Sequence, residues 1–362
     1  MSLAVVRSVG TARSVRSPHE AQDFEQEIID QFLLASLASG TTDGSVAHDR
    51  VTMFEFIRFF AQPVWLAEPV DADRYLLWLR RDRRLAVSTI AGKAAVLGRF
   101  FDFLVHRYQG DIHALFGRVV VQPIDEFNKP SSPSASQSIR VPPRLDEVAA
   151  LFDGWRVALP EARKFLPASR DYVAASLWRR LGLRINETVM LDIRDWHPEL
   201  GEHGKLHVRY GKGSRGRGPK VRIVPAINDA GLLIEWWLTD VRHQFGDDWE
   251  DPDAPLFPSE RRDPVTGHCT RAGREALRGG LVDAVGVWLP GWAGRLSPHG
   301  LRHFCASSLY ERGMDIKAIQ ELLGHEWLST TTRYIHVHDD HIETSWAAAN
   351  SRVAARFVDK EG

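Results

Sequence analysis

The sequence predicts a mainly α-helical protein with one small β region, arranged as two domains joined by a linker. Three observations lead to this fold class. Apolar residues recur at three- and four-residue intervals over long stretches, as they do in amphipathic helices. Residues 205–225 alternate instead, as strands do. A Pro- and Ser-rich stretch, 128–143, divides a chain of 362 residues, which is more than one hydrophobic core usually holds.

The first domain is predicted as a helical bundle over residues 45–127. "VTMFEFIRFFAQ" and "STIAGKAAVLGRFFDFLVHRY" both carry helical apolar spacing. Asp71 and Ser88 stand where N-caps would begin two of the helices. Residues 1–44 form an N-terminal extension that is too poor in apolar pattern to predict a further domain, and the sequence leaves their role open.

The second domain is predicted as a mixed α/β unit over residues 144–345. Helices around 145–152 and 169–181 come before the β region, and mostly helices follow it. The tail, 346–362, contains "SWAAANSRVAARF", which has strong helix formers and one apolar stripe. We therefore expect a short terminal helix that needs another surface to bury that stripe.

Composition restricts the class of protein. Two cysteines cannot form a disulfide framework, and no apolar run reaches the 18 residues of a membrane span, so a cytoplasmic protein is expected. A net charge of −1 does not exclude nucleic acid, because the charge is clustered. Residues 203–222 contain seven Lys or Arg and no Asp or Glu, and a second basic cluster lies at 74–84.

The basic segment "RYGKGSRGRGPKVRIVP", residues 209–225, fits the G-x-G-x-x-G spacing of a dinucleotide loop. Such a loop must lead into a helix, whereas "VRIVP" reads as a second strand. Lys212 is followed by Gly213 instead of Ser or Thr, so a P-loop is excluded as well. The segment is predicted to be a hairpin with a basic tip, which either contacts DNA or is a solvated turn.

Three further stretches carry candidate chemistry. In "LGLRINETVMLDIRDW", Arg184 and Glu187 stand three residues apart, as in an ordinary helix ion pair. In "SPHGLRHFCASSLYERG", Ser297 and Pro298 suit a helix start, which would place His299 and Arg302 on one face. "LLGHEWLSTTTRYIHV" holds the third pair of candidates, a histidine and a tyrosine. Taken singly, each of these residues is more often a packing or surface residue than a catalyst.

Together and in this order, the motifs "GLRxxE", a hairpin with "GKG" that ends in "RIVP", "HGLRH", "LGH" and "YIHV" resemble the tyrosine recombinase, or phage-integrase-like, family. The spacings of 23 residues from Arg302 to His325 and nine from there to Tyr334 also suit the family, in particular its Xer-like members. The resemblance covers residues 181–337. More weakly, it implies that the first domain is a core-binding, SAM-like helical bundle and the second the catalytic domain.

The resemblance implies a catalytic set of six residues. Arg184 and Arg302 would clamp the phosphate oxygens with forked hydrogen bonds. Tyr334 would be the nucleophile, which leaves a 3′-phosphotyrosyl link and a free 5′-hydroxyl. Lys212 would protonate the leaving oxygen, with His299 assisting proton transfer and His325 hydrogen-bonding the phosphate. No cofactor or metal is expected, because the arginines neutralise the charge, and the ester keeps the bond energy without ATP.

The resemblance also implies residues around that set and a larger assembly. Glu187 and His303 are expected to contact the catalytic residues and hold them in place without touching the DNA themselves. The two domains would form a C-shaped clamp on double-stranded DNA, and four subunits would hold two duplexes. Sequence-independent contacts with phosphates are expected from Lys205, Arg215, Arg217, Lys220, Arg222, Arg80, Arg81, Arg83 and Arg84.

Several alternatives stay open. A type IB topoisomerase uses a similar constellation to relax DNA, and a catalytically silent DNA-binding protein would shift DNA without joining to it. Tyr310 has none of the context of a nucleophile and is interpreted as a packing residue. His336, His338 and His341 form an H-x-H-x-x-H pattern, but a zinc site there is disfavoured. The target sequence, the choice between integration, excision and dimer resolution, and any partner recombinase cannot be read from the sequence.

Overall fold

The computed structural model describes residues 18–130, 142–211, 218, 220–246, 249–325 and 331. The chain divides into two compact units, one made chiefly of residues before the predicted linker and one chiefly of residues after it. Most of the linker, 131–141, lies outside the described residues, as does the predicted tail helix. The boundaries at the linker and at the tail therefore stay predictions.

The first unit is helical. Its helices among the described residues are α1 (Pro18–Ala38), α2 (Asp43–Phe60), α3 (Pro69–Arg81), α4 (Val87–Arg107) and α5 (Gln109–Phe116). Aromatic contacts fill its core, such as Phe32 on Phe100, with ring centroids 5.4 Å apart, and Phe56 on Tyr75 at 5.2 Å. Because Ile28 and Phe32 of α1 are buried in this core, the helical unit begins before residue 45, where the sequence predicted its start.

Two helix starts differ from their predictions. Helix α3 begins at Pro69, and Asp71 lies at its third position, where its carboxylate accepts a hydrogen bond from the backbone N–H of Glu68 at 3.1 Å. Helix α4 begins at Val87, so Ser88 lies inside the helix. Proline suits the first helical position because it has no N–H to satisfy, and an acidic residue suits the first turn. The predicted N-caps were three residues too late in α3, where the N-cap is Glu68, and two too late in α4, where it is Ala86.

The second unit combines helices with two small antiparallel sheets. Its helices among the described residues are α6 (Leu145–Ala158), α7 (Phe165–Leu181), α8 (Ile185–Val189), α9 (Ala230–Trp236), α10 (Arg274–Trp288), α11 (Pro298–Glu311) and α12 (Ile316–Leu323). The strands are β1 (Trp196–His197), β2 (Lys205–Gly211), β3 (Lys220–Pro225), β4 (Pro258–Arg262) and β5 (Cys269–Arg271). The mainly α fold with a small β region is confirmed.

Strands β2 and β3 form the predicted hairpin. They pair antiparallel from Lys205 opposite Pro225 to Gly211 opposite Lys220, with an irregularity in register after Val208. Strand β1 adds to the other edge of β2, giving the order β1-β2-β3. The tip, 212–217, lies outside the described residues.

Helix α7 runs through the middle of the second core. Its residues from Ser169 to Trp178 are all buried, and it packs against both α10 and α11. The indole of Trp178 has no solvent exposure and donates to the Thr188 hydroxyl at 2.9 Å. This hydrogen bond ties α7 to α8, which follows it after the left-handed residue Gly182. The end of α7 is thereby fixed next to Arg184.

Ion pairs fix the root of the hairpin. The Nε of Arg209, on β2, donates to Asp195 at 2.7 Å, and its Nη2 donates to both Asp192 and Asp195. Arg271, on β5, donates to the other oxygen of Asp192. Both carboxylates are buried, so the two arginines satisfy charges that would otherwise be costly. The strand that leads to the tip is therefore fixed to the body of the unit.

Both cysteines, Cys269 and Cys305, are buried thiols that take part in no disulfide. Burial raises the pKa of the Cys305 thiol to about 12. Within the part of the chain that the structure describes, no helix has the length and apolar character needed to cross a bilayer.

Candidate active site

Arg184 and Glu187 meet at the start of α8. Arg184 is the residue before the helix, and its backbone N–H donates to the Glu187 carboxylate at 2.8 Å. Its Nη1 donates to the other carboxylate oxygen at 2.6 Å. The three-residue spacing of the motif is thus the spacing of a reciprocal cap. Glu187 is buried, while a quarter of the Arg184 side chain is exposed.

Arg222 completes this ion-pair cluster. Its Nη1 and Nη2 donate to the two oxygens of Glu187 at 2.9 and 2.8 Å, and its Nε donates to the carbonyl of Leu322 at 3.1 Å. Only 9% of its side chain is exposed. The sequence predicted Arg222 as a contact to DNA phosphates, and this needs correction, because the guanidinium is committed to an internal carboxylate and an internal carbonyl.

The two arginines keep Glu187 ionised. Burial alone would raise its pKa, but the hydrogen bonds and charge of Arg222, together with the charge of Arg184, lower the pKa to about 2. A bidentate arginine and a second cation outweigh desolvation. Glu187 is therefore a fixed negative charge at neutral pH, and the site as a whole keeps an excess of positive charge.

Arg302 is the fifth residue of α11. The Ser297 hydroxyl accepts from the Gly300 N–H at 3.2 Å, which caps the helix start predicted at Ser297 and Pro298. Arg302 is buried, and its Nη2 donates to the Leu323 carbonyl at 2.6 Å and to Nε2 of His325 at 2.8 Å. Its Nη1 donates to the carbonyl of Gly182. One guanidinium thus joins the end of α7, the end of α12 and the predicted phosphate-binding histidine.

The contacts of His325 fix its tautomer. A guanidinium can only donate, so Nε2 must accept from Arg302, and the ring proton lies on Nδ1. Nδ1 is 2.9 Å from the hydroxyl of Thr331, which is fully buried. Burial, followed by the charges of Arg302, Arg184 and Arg222, lowers the pKa of His325 to about 3. His325 is therefore neutral at physiological pH.

His299 and His303 are on α11 with Arg302. Their rings contact edge to face, with centroids 4.7 Å apart. His299 is exposed and His303 is half-buried. The exposed imidazole at the first turn is accessible from solvent, unlike the two buried residues His325 and Arg302.

The remaining predicted residues are described only in part. Tyr334, Lys212, Arg215 and Arg217 lie outside the described residues. In the second unit Lys220 is exposed and Lys205 is half-buried. The predicted phosphate contacts of the first unit are all exposed: Arg80, Arg81, Arg83 and Arg84. Within that unit, the Arg83 guanidinium lies 5.2 Å from the Trp78 ring centroid.

The structure bears on two other interpretations of the sequence, the role of Tyr310 and a metal site. Tyr310 packs against the core of the second unit, as the sequence predicted. In the described ranges, no group of three or more His, Cys, Asp or Glu side chains is arranged to hold a metal ion. The H-x-H-x-x-H pattern at 336–341 lies outside those ranges.

The sequence analysis gave Arg222 a different role and did not single out Thr331. Strand alternation puts Arg222 on the same face of β3 as the fully buried Val224, while Val221 and Ile223 are exposed. The phase of the strand could therefore have placed the arginine inward. For Thr331 the sequence has no comparable signal, because "STTT" offers four adjacent hydroxyl side chains.

The sequence is similar to a known protein family and to a curated protein. The model of the phage integrase family matches residues 159–341, a range that contains all six predicted catalytic positions. The tyrosine recombinase XerC of Herpetosiphon aurantiacus is 26% identical over 340 residues, which cover 93% of this chain and 99% of that protein.

Two solved structures share the fold. The XerH site-specific recombinase, solved bound to a palindromic difH substrate in a post-cleavage complex, has a TM-score of 0.62 at 16% identity and covers 93% of this chain and 90% of its own. The Tn1549 transposon integrase, solved with transposon right end DNA, has a TM-score of 0.60 at 15% identity and covers 89% and 99%.

Proposed function

This chain belongs to the phage integrase family of tyrosine recombinases, enzymes that break and rejoin DNA, and we propose that it exchanges strands at specific sites through a covalent link at Tyr334. The observation that carries the proposal is the arrangement of Arg184 and Arg302 around the neutral His325. A positive site with forked donors suits the two non-bridging oxygens of a phosphodiester, which share one negative charge.

The proposed reaction is a transfer of the phosphoryl group. The phenol oxygen of Tyr334 attacks phosphorus, and the bond from phosphorus to the 5′-oxygen breaks. Lys212 gives a proton to that leaving oxygen, and His299 assists removal of the proton from the phenol. The products are a 3′-phosphotyrosyl ester and a free 5′-hydroxyl. Since the ester keeps the bond energy, a hydroxyl of a partner strand reverses the step without ATP.

His325 changes its hydrogen bonds when a phosphate binds. A phosphate oxygen draws the guanidinium of Arg302, and His325 then donates to the phosphate through an Nε2–H. For this the ring must exchange tautomers. The Thr331 hydroxyl allows the exchange, because a hydroxyl that accepts from Nδ1–H can rotate and donate to a bare Nδ1. Thr331 thus serves both states of the histidine.

The proposed partner is double-stranded DNA that carries recombination sites, held by four subunits on two duplexes. Known structures of the same fold were solved with such DNA. Arginine charge takes the place that metal ions have in other phosphoryl transfers, so no metal enters the proposed steps. Two buried cysteine thiols suit the reducing cytoplasm, where we place the reaction.

The test is covalent trapping. A nicked suicide duplex in EDTA should give a wild-type adduct on a denaturing gel, whereas Tyr334→Phe should bind the same DNA and give none. Tyr310→Phe is the matched control, since Tyr310 packs in the core, and it should keep the adduct. An adduct in Tyr334→Phe would contradict the nucleophile, and loss of the wild-type adduct in EDTA would indicate a metal-dependent reaction.

A further inference from the structure

The side chain of Arg222 lies among three chain segments, each of which is within two residues, along the sequence, of a proposed catalytic residue. These segments are the start of α8, the end of α12 and the end of β2. Arg222 itself lies on β3, opposite Val208 of β2. The proposed roles of Arg184, Lys212 and His325 do not include it.

At the start of α8, the contact is through Glu187. Both terminal nitrogens of Arg222 hold the carboxylate that also receives Nη1 and the backbone N–H of Arg184. Without Arg222, Glu187 keeps one cation and loses its bidentate partner. The orientation of Arg184 therefore depends on Arg222 through one shared carboxylate.

At the end of α12, the contact is with the backbone just before His325. The Nε of Arg222 donates to the Leu322 carbonyl at 3.1 Å. Gly324 has a φ of +66°, and a Cβ on it would lie 2.8 Å from Cδ and 3.1 Å from Nε of Arg222. The glycine of "LGH" is thus required both for its left-handed backbone and for the close approach of this arginine.

At the end of β2, Arg222 lies close to the residue just before Lys212. A Cβ on Gly211 would lie 2.3 Å from the carbonyl oxygen of Lys220 and 3.5 Å from Nη1 of Arg222. Gly211 pairs with Lys220, which stands two residues before Arg222 on β3. The first glycine of "GKG" therefore allows the two strands to approach each other closely next to Arg222.

We propose that Arg222 is a positioning residue that sets the relative placement of Arg184, His325 and the strand end that leads to Lys212. This inference rests on the proposed function. Lysine cannot replace it, because three separate acceptor contacts need the planar fork of five donors that only arginine has.

The competing explanation is an ordinary buried ion pair that stabilises the fold and nothing else. Arg170 is a closely matched control for it. The Arg170 side chain is 6% exposed and that of its partner Asp171 is 11% exposed. It donates to Asp171 at 2.8 Å and to the carbonyl of Pro258 at 3.0 Å. It therefore has a similar burial, a carboxylate and a carbonyl, but among the described residues its hydrogen bonds go to none of the three segments around Arg222.

The experiment compares Arg222→Lys with Arg170→Lys in the full chain. We measure DNA affinity, the urea midpoint of unfolding, and the single-turnover rate of adduct formation at saturating suicide duplex. A positioning role predicts that Arg222→Lys slows the adduct at least about 30-fold, since small misplacement of reacting groups is costly. Arg170→Lys should change the rate less than about threefold, although its urea midpoint should fall by as much as that of Arg222→Lys. Equal slowing in both variants would overturn the proposal.

A second measurement does not depend on DNA cleavage. Nitrogen NMR of the histidine side chains reports the tautomer of His325. Arg222→Lys should shift or broaden the His325 signals, and Arg170→Lys should leave them in place. If the wild type forms no adduct, the proposed function fails while these signals still decide the inference. Unchanged His325 signals in Arg222→Lys would overturn it.

Discussion

Two groups of arginines in this chain differ both in their spacing along the sequence and in their burial. Four exposed arginines lie at the end of α3 or just after it: Arg80, Arg81, Arg83 and Arg84. The arginines of the candidate site are far apart in sequence, and Arg222 and Arg302 are largely or fully buried. Clustering along the chain therefore did not identify the arginines that converge in space.

The two environments give an arginine different functions. The charge of an exposed guanidinium is screened by salt, and its side chain keeps its conformational freedom. It therefore contributes a small, additive attraction to any phosphate. A buried one acts at lower effective dielectric and is held in one orientation by its acceptors. We therefore expect the exposed set to govern grip on DNA and the buried set to govern the rate of chemistry.

The largest test of this difference is Arg302→Lys. The substitution keeps the charge but cannot donate to the carbonyls of Gly182 and Leu323 and to His325 together. Adduct formation should fall about 100- to 1,000-fold, the usual cost of losing a fixed donor at a developing charge. Arg81→Lys is the control and should change the rate little. Suicide-substrate kinetics at saturating DNA measure both, and equal effects would break the comparison.

Glu187→Gln tests the carboxylate that holds two of the buried arginines. The folded pKa of Glu187, about 2, lies below its ordinary value of 4.5, so its ionised form stabilises the fold fully above pH 4.5. That contribution, on the order of 3 kcal/mol, is lost as the pH falls from 4.5 toward 2. Urea unfolding should therefore separate wild type from variant widely at pH 7 and much less at pH 3. A difference that is the same at both would contradict the linkage.

Thr331→Val should have an intermediate effect. Valine keeps the shape but removes the hydroxyl that meets Nδ1 of His325. We expect about a tenfold slower adduct, the equivalent of one hydrogen bond, with DNA affinity unchanged. Thr331→Ser keeps the hydroxyl and should recover most of the rate. A valine variant as fast as wild type would mean that the tautomer of His325 does not matter for the reaction.

The smallest effect is expected from the exposed arginines. Arg80→Gln or Arg81→Gln should weaken binding only a few-fold on any sequence. The salt slope of log K should become shallower by about 0.9 for each DNA phosphate that the variant no longer neutralises. The rate at saturating DNA should not change. Titrations at several salt concentrations measure the slope, and a variant that loses binding to its site but not to random DNA would show that this region reads sequence.

The fold was largely predictable because periodicity reports burial directly. The hairpin, α7 and the start of α11 at Ser297 were all visible in apolar spacing or cap residues. The site was predictable only where it is local, as in the reciprocal cap between Arg184 and Glu187. The link from β3 to Leu322 crosses 100 residues of chain. Only the tertiary fold brings such partners together, so no local pattern revealed it.

The burial of both native cysteines has a practical consequence for labelling this protein with a fluorescent dye. Cys269 and Cys305 are the only thiols in the chain, and both are shielded from solvent. A cysteine introduced at an exposed position such as Val119 or Val265, which are 67% and 91% exposed, would therefore be the preferred point of attachment for a maleimide dye. Single fluorophores could then report subunit arrival and departure on individual DNA molecules without first removing any native residue.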